Sequence, residues 1–191
     1  MGRIVVSENV TLDGVVEDPT GEEGTAAGGW FLRARPEDRD AWAALMLDEA
    51  RGAQALLLGR RSDAWFAERW ASRTGPWADR LNALPKHVVS TTTREPRWAP
   101  GTVLGADVVE AAATLRREVA GDVVVYGSVR LVGTLLEHDL VDELRLVVFP
   151  TAAGTGTRLF RDASPGMSLC GNRTVGRDLV RLVYRTAERR P

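Results

Sequence analysis

The sequence predicts an α/β fold in which a mostly parallel sheet, covered by helices, ends in antiparallel strands. Two observations support this prediction. Short, continuously apolar runs, typical of strands buried on both faces, alternate with helical patterns along most of the chain. Beyond Asp142, in contrast, the sequence contains no long helical pattern. The 191 residues suit one domain, which we assign to positions 1–191.

The predicted strands are short runs rich in β-branched residues. In chain order they occupy positions 4–7, 55–58, 87–91, 123–126 and 144–149. A further strand is expected near the C-terminus, where Val180, Leu182 and Tyr184 share one face of the run 178–186. Since no crossover helix precedes this last strand, we expect it to pair antiparallel with 144–149, as a hairpin at the edge of the sheet.

Helical patterns fall between the earlier strands. Pro36 begins one helix, with acids following in its first turn, and another is expected at 63–70. Asp107 followed by Glu110 is a capping-box pattern that opens a third helix. Ser128 is placed to cap a fourth. Strands that alternate with helices in this way indicate right-handed crossovers.

The composition excludes several functional classes. The chain carries 25 basic and 26 acidic residues, and this near balance disfavours a nucleic-acid partner. A single cysteine and two distant histidines provide neither a disulfide framework nor a zinc-binding pattern. No stretch approaches a membrane span, and the apolar run after Arg3 is too short for a signal peptide. We therefore expect a cytoplasmic protein with no bound metal and no membrane partner.

Three of the predicted strands end in residues that suit phosphate. Glycine at a strand end lets the backbone approach a ligand, arginines offer charged forks, and amides at a helix start bind anions. Hydroxyl groups can hold a ribose phosphate. The residues are Gly59, Arg60, Arg61 and Ser62 after the second strand, Ser90, Thr91 and Thr92 after the third, and Tyr126, Gly127, Ser128 and Val129 after the fourth.

Each of these strand ends also has a purely structural interpretation. The arginines can be solvated at a helix start, Ser128 can be a helix cap, and the hydroxyls can satisfy a turn. The dinucleotide fingerprint GxGxxG is absent. The carboxyl ends of parallel strands nevertheless meet at one edge of a sheet, and this convergence favours a ligand site. Asp13, in the turn after the first strand, is expected on the same edge.

With these motifs, the chain resembles the dihydrofolate reductase superfamily. It is most similar to the stand-alone bacterial proteins that resemble the reductase domain of the riboflavin-biosynthesis deaminase–reductase. The order and spacing of the matching segments cover the chain nearly end to end. These segments are TLDG at 11–14, LLGRR at 57–61, LNALPKHVVS at 81–90, VYGS at 125–128 and LLEHDLVDELRL at 135–146.

The resemblance implies a three-layer α/β/α fold, an NADPH cofactor and a homodimer. Residues 59–62 and 127–129 would bind the cofactor's phosphates, and 90–92 would lie near the adenosine ribose, with an arginine on the 2′-phosphate. Asp13, the candidate catalytic residue, and a long loop containing Trp30 would close the substrate pocket beside the nicotinamide. The implied reaction is hydride transfer to a small pteridine-like or pyrimidine-like heterocycle or to a carbonyl compound.

Two departures from the family pattern leave the function open. Relatives usually carry Thr-Tyr where this chain has Ser62 and Asp63, and an acid there could repel a phosphate. Spacing also does not identify the pocket acid of dihydrofolate reductases among the four candidates on the first helix, which are Asp38, Asp40, Asp48 and Glu49. Dihydrofolate itself is therefore not established as the substrate. Because the sequence offers no clear proton donor, the alternative function is a protein that binds NADPH or a folate-like ligand without turnover, such as a sensor.

Overall fold

Eight strands form one sheet in the computed structural model, which describes residues 2–105, 107–160 and 166–186. The strands are β1 (Arg3–Thr11), β2 (Ala53–Gly59), β3 (Lys86–Val89), β4 (Gly101–Leu104), β5 (Asp122–Tyr126), β6 (Glu143–Phe149), β7 (Met167–Val175) and β8 (Leu179–Thr186). The helices are α1 (Pro36–Gly52), α2 (Arg60–Trp70), α3 (Pro76–Ala83), α4 (Val108–Glu118) and α5 (Val129–Glu137), with a short 3-10 helix at Phe31–Arg33.

Across the sheet the strands lie in the order β4-β3-β2-β5-β1-β6-β8-β7. All neighbouring pairs among the first six strands are parallel. β8 runs antiparallel to both β6 and β7. The predicted α/β class, with a mostly parallel sheet and antiparallel C-terminal strands, is therefore confirmed.

Helices cover both faces of this sheet and complete the three layers. α4 and α5 contribute Leu115 and Leu135 to a buried cluster that contains Val6 of β1. The helices α1, α2 and α3 pack on the other face, where Trp70 belongs to the cluster around Val5. Neighbouring residues of β1 thus face opposite layers, which explains why the central strands are apolar without alternation.

The structure contains four elements that the sequence analysis does not predict, namely the 3-10 helix, α3, β4 and β7. Both strands lie at edges of the sheet and have no buried residue except Val175, so neither has the apolar pattern of a buried strand. The expected antiparallel pairing of 144–149 with the C-terminal strand is correct, but β7 is the strand at the edge. The predicted third strand ends at Val89 instead of Thr91, because a turn begins at Ser90.

None of the helices in the part of the chain that the structure describes is long and apolar enough to cross a membrane. The longest of them, α1, has 17 residues, whereas a span needs roughly 20 apolar residues. The expected cytoplasmic location stays a prediction.

Lys86, the lone lysine of the chain, is fully buried at the start of β3. Its Nζ donates hydrogen bonds to the carbonyl oxygens of Asn82, at 2.7 Å, and Ala99, at 3.2 Å. The same atom lies 4.4 Å from the centre of the Trp98 ring. Burial lowers the pKa of Lys86 from 10.5 to about 8, and the negative charge of Asp63 opposes this fall.

A Lys86→Met variant tests this burial through the pH dependence of stability. The Lys86 amine deprotonates near pH 8 in the folded protein and near 10.5 in the unfolded chain, so the unfolded chain binds more protons between those values. The free energy of unfolding of the wild type should therefore rise with pH across this window, relative to Lys86→Met. Urea unfolding of both proteins at a series of pH values measures the difference. A difference that does not change with pH would contradict the buried charge.

Candidate functional site

β1 and β5 are neighbours in the sheet, but the helices that follow them pack on opposite faces of the sheet. In open α/β sheets, ligands bind in the crevice that such a divergence creates beyond the carboxyl ends of the strands. Pairing between β1 and β5 ends at Ser7 and Tyr126, while β1 continues beside β6 as far as Thr11. The two strands therefore separate at the carboxyl edge of the sheet.

A tight turn after β5 joins this crevice to the end of β2. Gly127 and Ser128 both adopt the left-handed conformation, with φ of 58°. The Ser128 amide donates to the Ser62 Oγ at 2.9 Å, and the Gly59 amide donates to the Ser128 Oγ at 3.0 Å. Two of the three predicted strand ends are thus bonded to each other. The expectation that the Ser128 side chain caps α5 is wrong, because its hydroxyl is used in this link.

The helices α2 and α5 both begin at this edge without a capping side chain. The amides of their first turns and the positive ends of their dipoles are therefore directed at the carboxyl edge, which favours a bound anion. Arg60 and Arg61 open α2, and both are exposed. Neither makes an ion pair with another described residue. Two arginines without an ion pair to a described residue therefore lie beside two uncapped helix starts, an arrangement that would suit an anion.

The third predicted strand end meets the second in an open depression of about 310 Å³. Its lining consists of Arg60, Val89, Ser90, Thr91 and Thr92, whereas Arg61 is not part of it. The Ser90 hydroxyl accepts hydrogen bonds from the amides of Thr92, at 3.1 Å, and Thr93, at 3.0 Å, and so forms a turn. The two threonine hydroxyls that follow are exposed. The turn interpretation therefore holds for Ser90, while its neighbours remain available to a ligand.

Asp63, which departs from the family pattern, is buried and directed away from this depression. Its carboxylate accepts hydrogen bonds from the amides of Arg97, at 2.8 Å, and Trp98, at 3.1 Å. The acid fixes the chain segment between β3 and β4 against the first turn of α2. Its charge is compensated by these amides, so the expected repulsion of a phosphate is weakened.

Asp13 links the loops that follow β1 and β6. Its carboxylate accepts hydrogen bonds from the Thr11 hydroxyl, at 2.6 Å, and from the amides of Ala153 and Gly154, at 2.9 and 2.8 Å. The hydrogen bond from Thr11, with those from the two amides, lowers the pKa of Asp13 well below its usual range. Asp13 is therefore ionised at neutral pH and holds the two loops together at the carboxyl edge.

The long loop between β1 and the 3-10 helix is organised by Asp18. The Asp18 carboxylate accepts hydrogen bonds from the amides of Glu23 and Thr25, each at 3.0 Å. At its far side the loop is attached to α2 by an ion pair between Glu22 and Arg69. This loop is thus held by internal hydrogen bonds and connects the end of the first strand to the second helix.

Trp30 anchors the same loop to the sheet. Its side chain is 1% exposed and meets the Phe149 ring edge-on, with 5.3 Å between the ring centres. The indole Nε1 donates to the Glu17 carbonyl oxygen at 2.9 Å. The predicted contact between Trp30 and a substrate stays a prediction.

The structure separates the four candidate pocket acids of α1. Asp38 is buried and accepts hydrogen bonds from the amides of Arg177 and Asp178, in the turn between β7 and β8. Glu49 is also buried and pairs with the Arg145 guanidinium at 3.1 Å. The other two are on the exposed side of the helix, namely Asp40 and Asp48. The two buried carboxylates thus each have a charged or amide partner, and the other two residues are exposed.

Comparison with known proteins establishes the family. Residues 3–181 match the family model described as the RibD C-terminal domain. The chain belongs to this family. The resemblance to a riboflavin-biosynthesis reductase domain of the dihydrofolate reductase superfamily is thereby confirmed.

Relatives of this RibD C-terminal domain span nearly its whole length. It is 26% identical to the uncharacterized protein YyaP of Bacillus subtilis (strain 168), over 95% of this chain and 94% of that protein. A crystal structure from Shewanella sp. PV-4, provisionally named a riboflavin biosynthesis protein, has a TM-score of 0.73 at 19% identity, over 97% and 99% of the two chains. Dihydrofolate reductase from Enterococcus faecalis, in complex with NADP(H), has a TM-score of 0.58 at 13% identity, over 97% of each chain. At these low identities the two structures establish the fold.

Glu8 lies where β1 and β5 separate in this RibD C-terminal domain. The sequence analysis does not predict a role for this residue. Glu8 follows Ser7, the last residue of β1 paired with β5. It is 9% exposed, and its Oε1 is buried without a hydrogen-bond partner. Burial raises the pKa of the Glu8 carboxyl well above its usual range, and the Gly127 amide opposes this rise. The sequence could have indicated this position, because side chains alternate along a strand and Glu8 therefore lies on the same face of β1 as Val6 and Val10.

A Ser62→Ala variant tests the link between the β2 and β5 strand ends. The change leaves the half-buried Ser128 amide without its acceptor, so we expect a loss of about 1–2 kcal/mol in the free energy of unfolding. Urea unfolding measures it, with Thr91→Ala as the matched control. Thr91 is exposed nearby, and its replacement should cost about 0.5 kcal/mol or less. Equal losses in the two variants would show that the link does not stabilise the fold.

Proposed function

We propose that this protein is an NADPH-dependent reductase that transfers a hydride to a small heterocyclic or carbonyl compound. The observation that carries the proposal is the bonding of Ser128 to both Gly59 and Ser62, which brings two uncapped helix starts together beside the crevice. Membership of the RibD C-terminal domain family supports it. So does the fold shared with a dihydrofolate reductase in complex with NADP(H).

The residues at this edge fit the pyrophosphate of a dinucleotide. Because the Ser128 amide is already bonded to Ser62, we expect the phosphates at the next amides of α5, Val129 and Arg130, and at those that open α2. The Ser62 hydroxyl accepts from Ser128 but keeps its own proton, which it can donate to a phosphate oxygen. Gly127 has a φ of 58°, a backbone conformation that favours glycine, so a side chain at this position would be strained.

The depression beside the pyrophosphate position fits the adenosine end. Arg60 provides a permanent charge with a geometry that matches phosphate, which suits the 2′-phosphate that distinguishes NADPH from NADH. Thr91 and Thr92 provide exposed hydroxyls for the ribose or its phosphate. Arg61 lies outside the lining, so the proposal assigns the 2′-phosphate to Arg60.

When bound, NADPH supplies the hydride, and the protein orients the reactants and excludes water. In this proposal the ordered loop after β1 covers the crevice, held by Trp30 at the sheet. Asp13 acts as a positioning residue that fixes the base of the loop. As an ionised carboxylate with three hydrogen-bond donors, it has no proton to give at neutral pH.

The acids of α1 bear on the substrate class. Asp38 is bonded to backbone amides and is not free to bind the amino group of a pteridine. The Glu49 Oε2 already pairs with Arg145, although its Oε1 has no hydrogen-bond partner. The proposal therefore favours a small heterocycle or carbonyl compound over dihydrofolate itself.

A second candidate is a protein that binds NADPH or a folate-like ligand without turnover. The ionised state of Asp13 favours it, because reduction requires a proton as well as a hydride. Both candidates use the same binding site and differ in catalysis alone.

Two experiments, carried out one after the other, test cofactor binding and then turnover. Calorimetric titration of the purified protein with millimolar NADPH should show saturable binding. NADPH oxidation, followed by absorbance with a panel of pteridine, pyrimidine and carbonyl compounds, should then exceed the background rate for at least one of them. Absence of NADPH binding would refute both candidates. Binding with no turnover on any compound would favour the non-catalytic protein.

Replacement of Arg60 by alanine should weaken NADPH binding selectively. A charge-assisted contact to the 2′-phosphate contributes about 1.5–3 kcal/mol, so we expect the Kd for NADPH to rise about 10- to 100-fold. The Kd for NADH, which lacks this phosphate, should change little. Arg61→Ala is the matched control, since it removes an equally exposed charge outside the depression. Titration of both variants with both cofactors makes the comparison.

Equal losses for NADPH and NADH in Arg60→Ala would show that Arg60 does not meet the 2′-phosphate. A selective loss in Arg61→Ala alone would transfer the role to the neighbouring arginine.

The homodimer that the family resemblance implies stays a prediction. Size-exclusion chromatography with light scattering tests it directly, through the mass of the particle in solution.

A further inference from the structure

Glu8 combines three properties at the crevice between β1 and β5. It lies just beyond the last pair of these strands, its Oε1 is buried without a partner, and its carboxyl is close to the Gly127 amide. Gly127 opens the turn that joins the β2 and β5 strand ends. A buried polar atom without a partner calls for an explanation, and a ligand in the adjacent crevice provides one.

The face of the sheet on which Glu8 lies is apolar. The buried cluster on that face includes Val6 and Val10 of β1, Leu146 of β6 opposite Glu8, Leu131 and Val132 of α5, and Val16 of the loop after β1. An unpaired carboxylate in such surroundings is costly, so the carboxyl is kept neutral by burial. Burial therefore favours the protonated form of Glu8, whereas the hydrogen bonds of Asp13 favour its ionised form.

Titratable residues on the surrounding elements are directed elsewhere. Glu143 and Arg145 of β6 lie on the opposite face and pair with each other at 2.7 Å. Arg130 of α5 is exposed, and Glu17 of the loop bonds to the Thr157 hydroxyl. No charged side chain contributes to the raised pKa of Glu8, which burial causes and the Gly127 amide opposes.

Building on the reductase function proposed above, we propose that Glu8 is the proton donor of the reaction. The carbon of a substrate C=N or C=O bond receives the hydride from NADPH, and the π electrons of that bond move to the nitrogen or oxygen. That atom takes the proton from the Glu8 carboxyl. The products are NADP⁺, the reduced substrate and the Glu8 carboxylate, which regains a proton from solvent when the crevice opens.

The Gly127 amide suits Glu8 to this role. It donates toward the carboxyl and lowers the pKa that burial raises, so the carboxylate left after proton transfer has a hydrogen-bond donor at hand. A carboxylic acid with a raised pKa holds its proton more readily before the reaction and can still release it during the reaction.

A Glu8→Gln variant separates proton donation from packing and binding. Glutamine has nearly the same shape and retains a donor and an acceptor, but it has no proton to transfer. We expect kcat to fall about 100- to 10,000-fold, with the substrate that turns over best in the panel, while the Kd for NADPH stays within about twofold. Glu110→Gln, which changes an exposed glutamate of α4, is the matched control and should retain the wild-type kcat.

The pH profile of the wild type gives a second test that needs no variant. Because the neutral carboxyl is the active form, kcat should fall as the pH rises through the raised pKa of Glu8. Infrared difference spectra of wild type against Glu8→Gln should show the C=O stretch of a protonated carboxyl at neutral pH. If Glu8→Gln does not fold, the pH profile of kcat decides the matter, together with a wild-type infrared difference spectrum between neutral and high pH in which the carboxyl band is lost.

The outcomes distinguish this proposal from the one on which it rests. Wild-type turnover that persists in Glu8→Gln, or an ionised Glu8 at neutral pH, refutes the proton donor and leaves the reductase intact. If Glu8→Gln raises the Kd for NADPH and leaves kcat unchanged, Glu8 is a cofactor-binding group, and this result also refutes its role as proton donor. No turnover of any panel compound by the wild type overturns both proposals.

Discussion

The separation of β1 from β5 is the constraint on which the rest of the site depends. Parallel strands buried on both faces need helices on both sides, and the chain meets this requirement by sending α1 and α5 to opposite layers. The two strands then diverge at their carboxyl ends after Ser7 and Tyr126. The crevice and the start of α5 beside it follow from this divergence. The hydrogen bonds of Ser128 with Gly59 and Ser62 join the start of α2, with Arg60, to the same place.

Polar groups at this divergence are arranged at some cost to stability. Ser128 adopts a left-handed conformation that costs roughly 1 kcal/mol or more for a residue other than glycine, and its hydrogen bonds with Gly59 and Ser62 offset this cost. Glu8 is buried among apolar side chains with one oxygen unpaired. Backbone strain and unpaired polar groups are frequent at functional sites, and the proposed function places both residues at one.

The fold and the convergence of the strand ends at one edge were predictable, because they depend on local patterns. Apolar runs predicted the buried strands, and the glycine and hydroxyl residues after them predicted the converging ends. β7 was not predictable, because an exposed edge strand has no apolar pattern. The partners of Asp63 and Asp38 lie 34 or more positions away along the chain, and no local pattern reports them. The position of Glu8 was partly predictable. Alternation along β1 places it on the same buried face as Val6 and Val10, but no local pattern shows that its carboxyl lies near Gly127.

A crystal structure with NADP⁺ bound is the most direct test of the account. The pyrophosphate is expected at the first turns of α2 and α5, and the 2′-phosphate in the depression lined by Arg60, Thr91 and Thr92. The nicotinamide is expected in the crevice between β1 and β5, next to Glu8. A dinucleotide bound at any other part of the surface, with this crevice empty, would contradict the account.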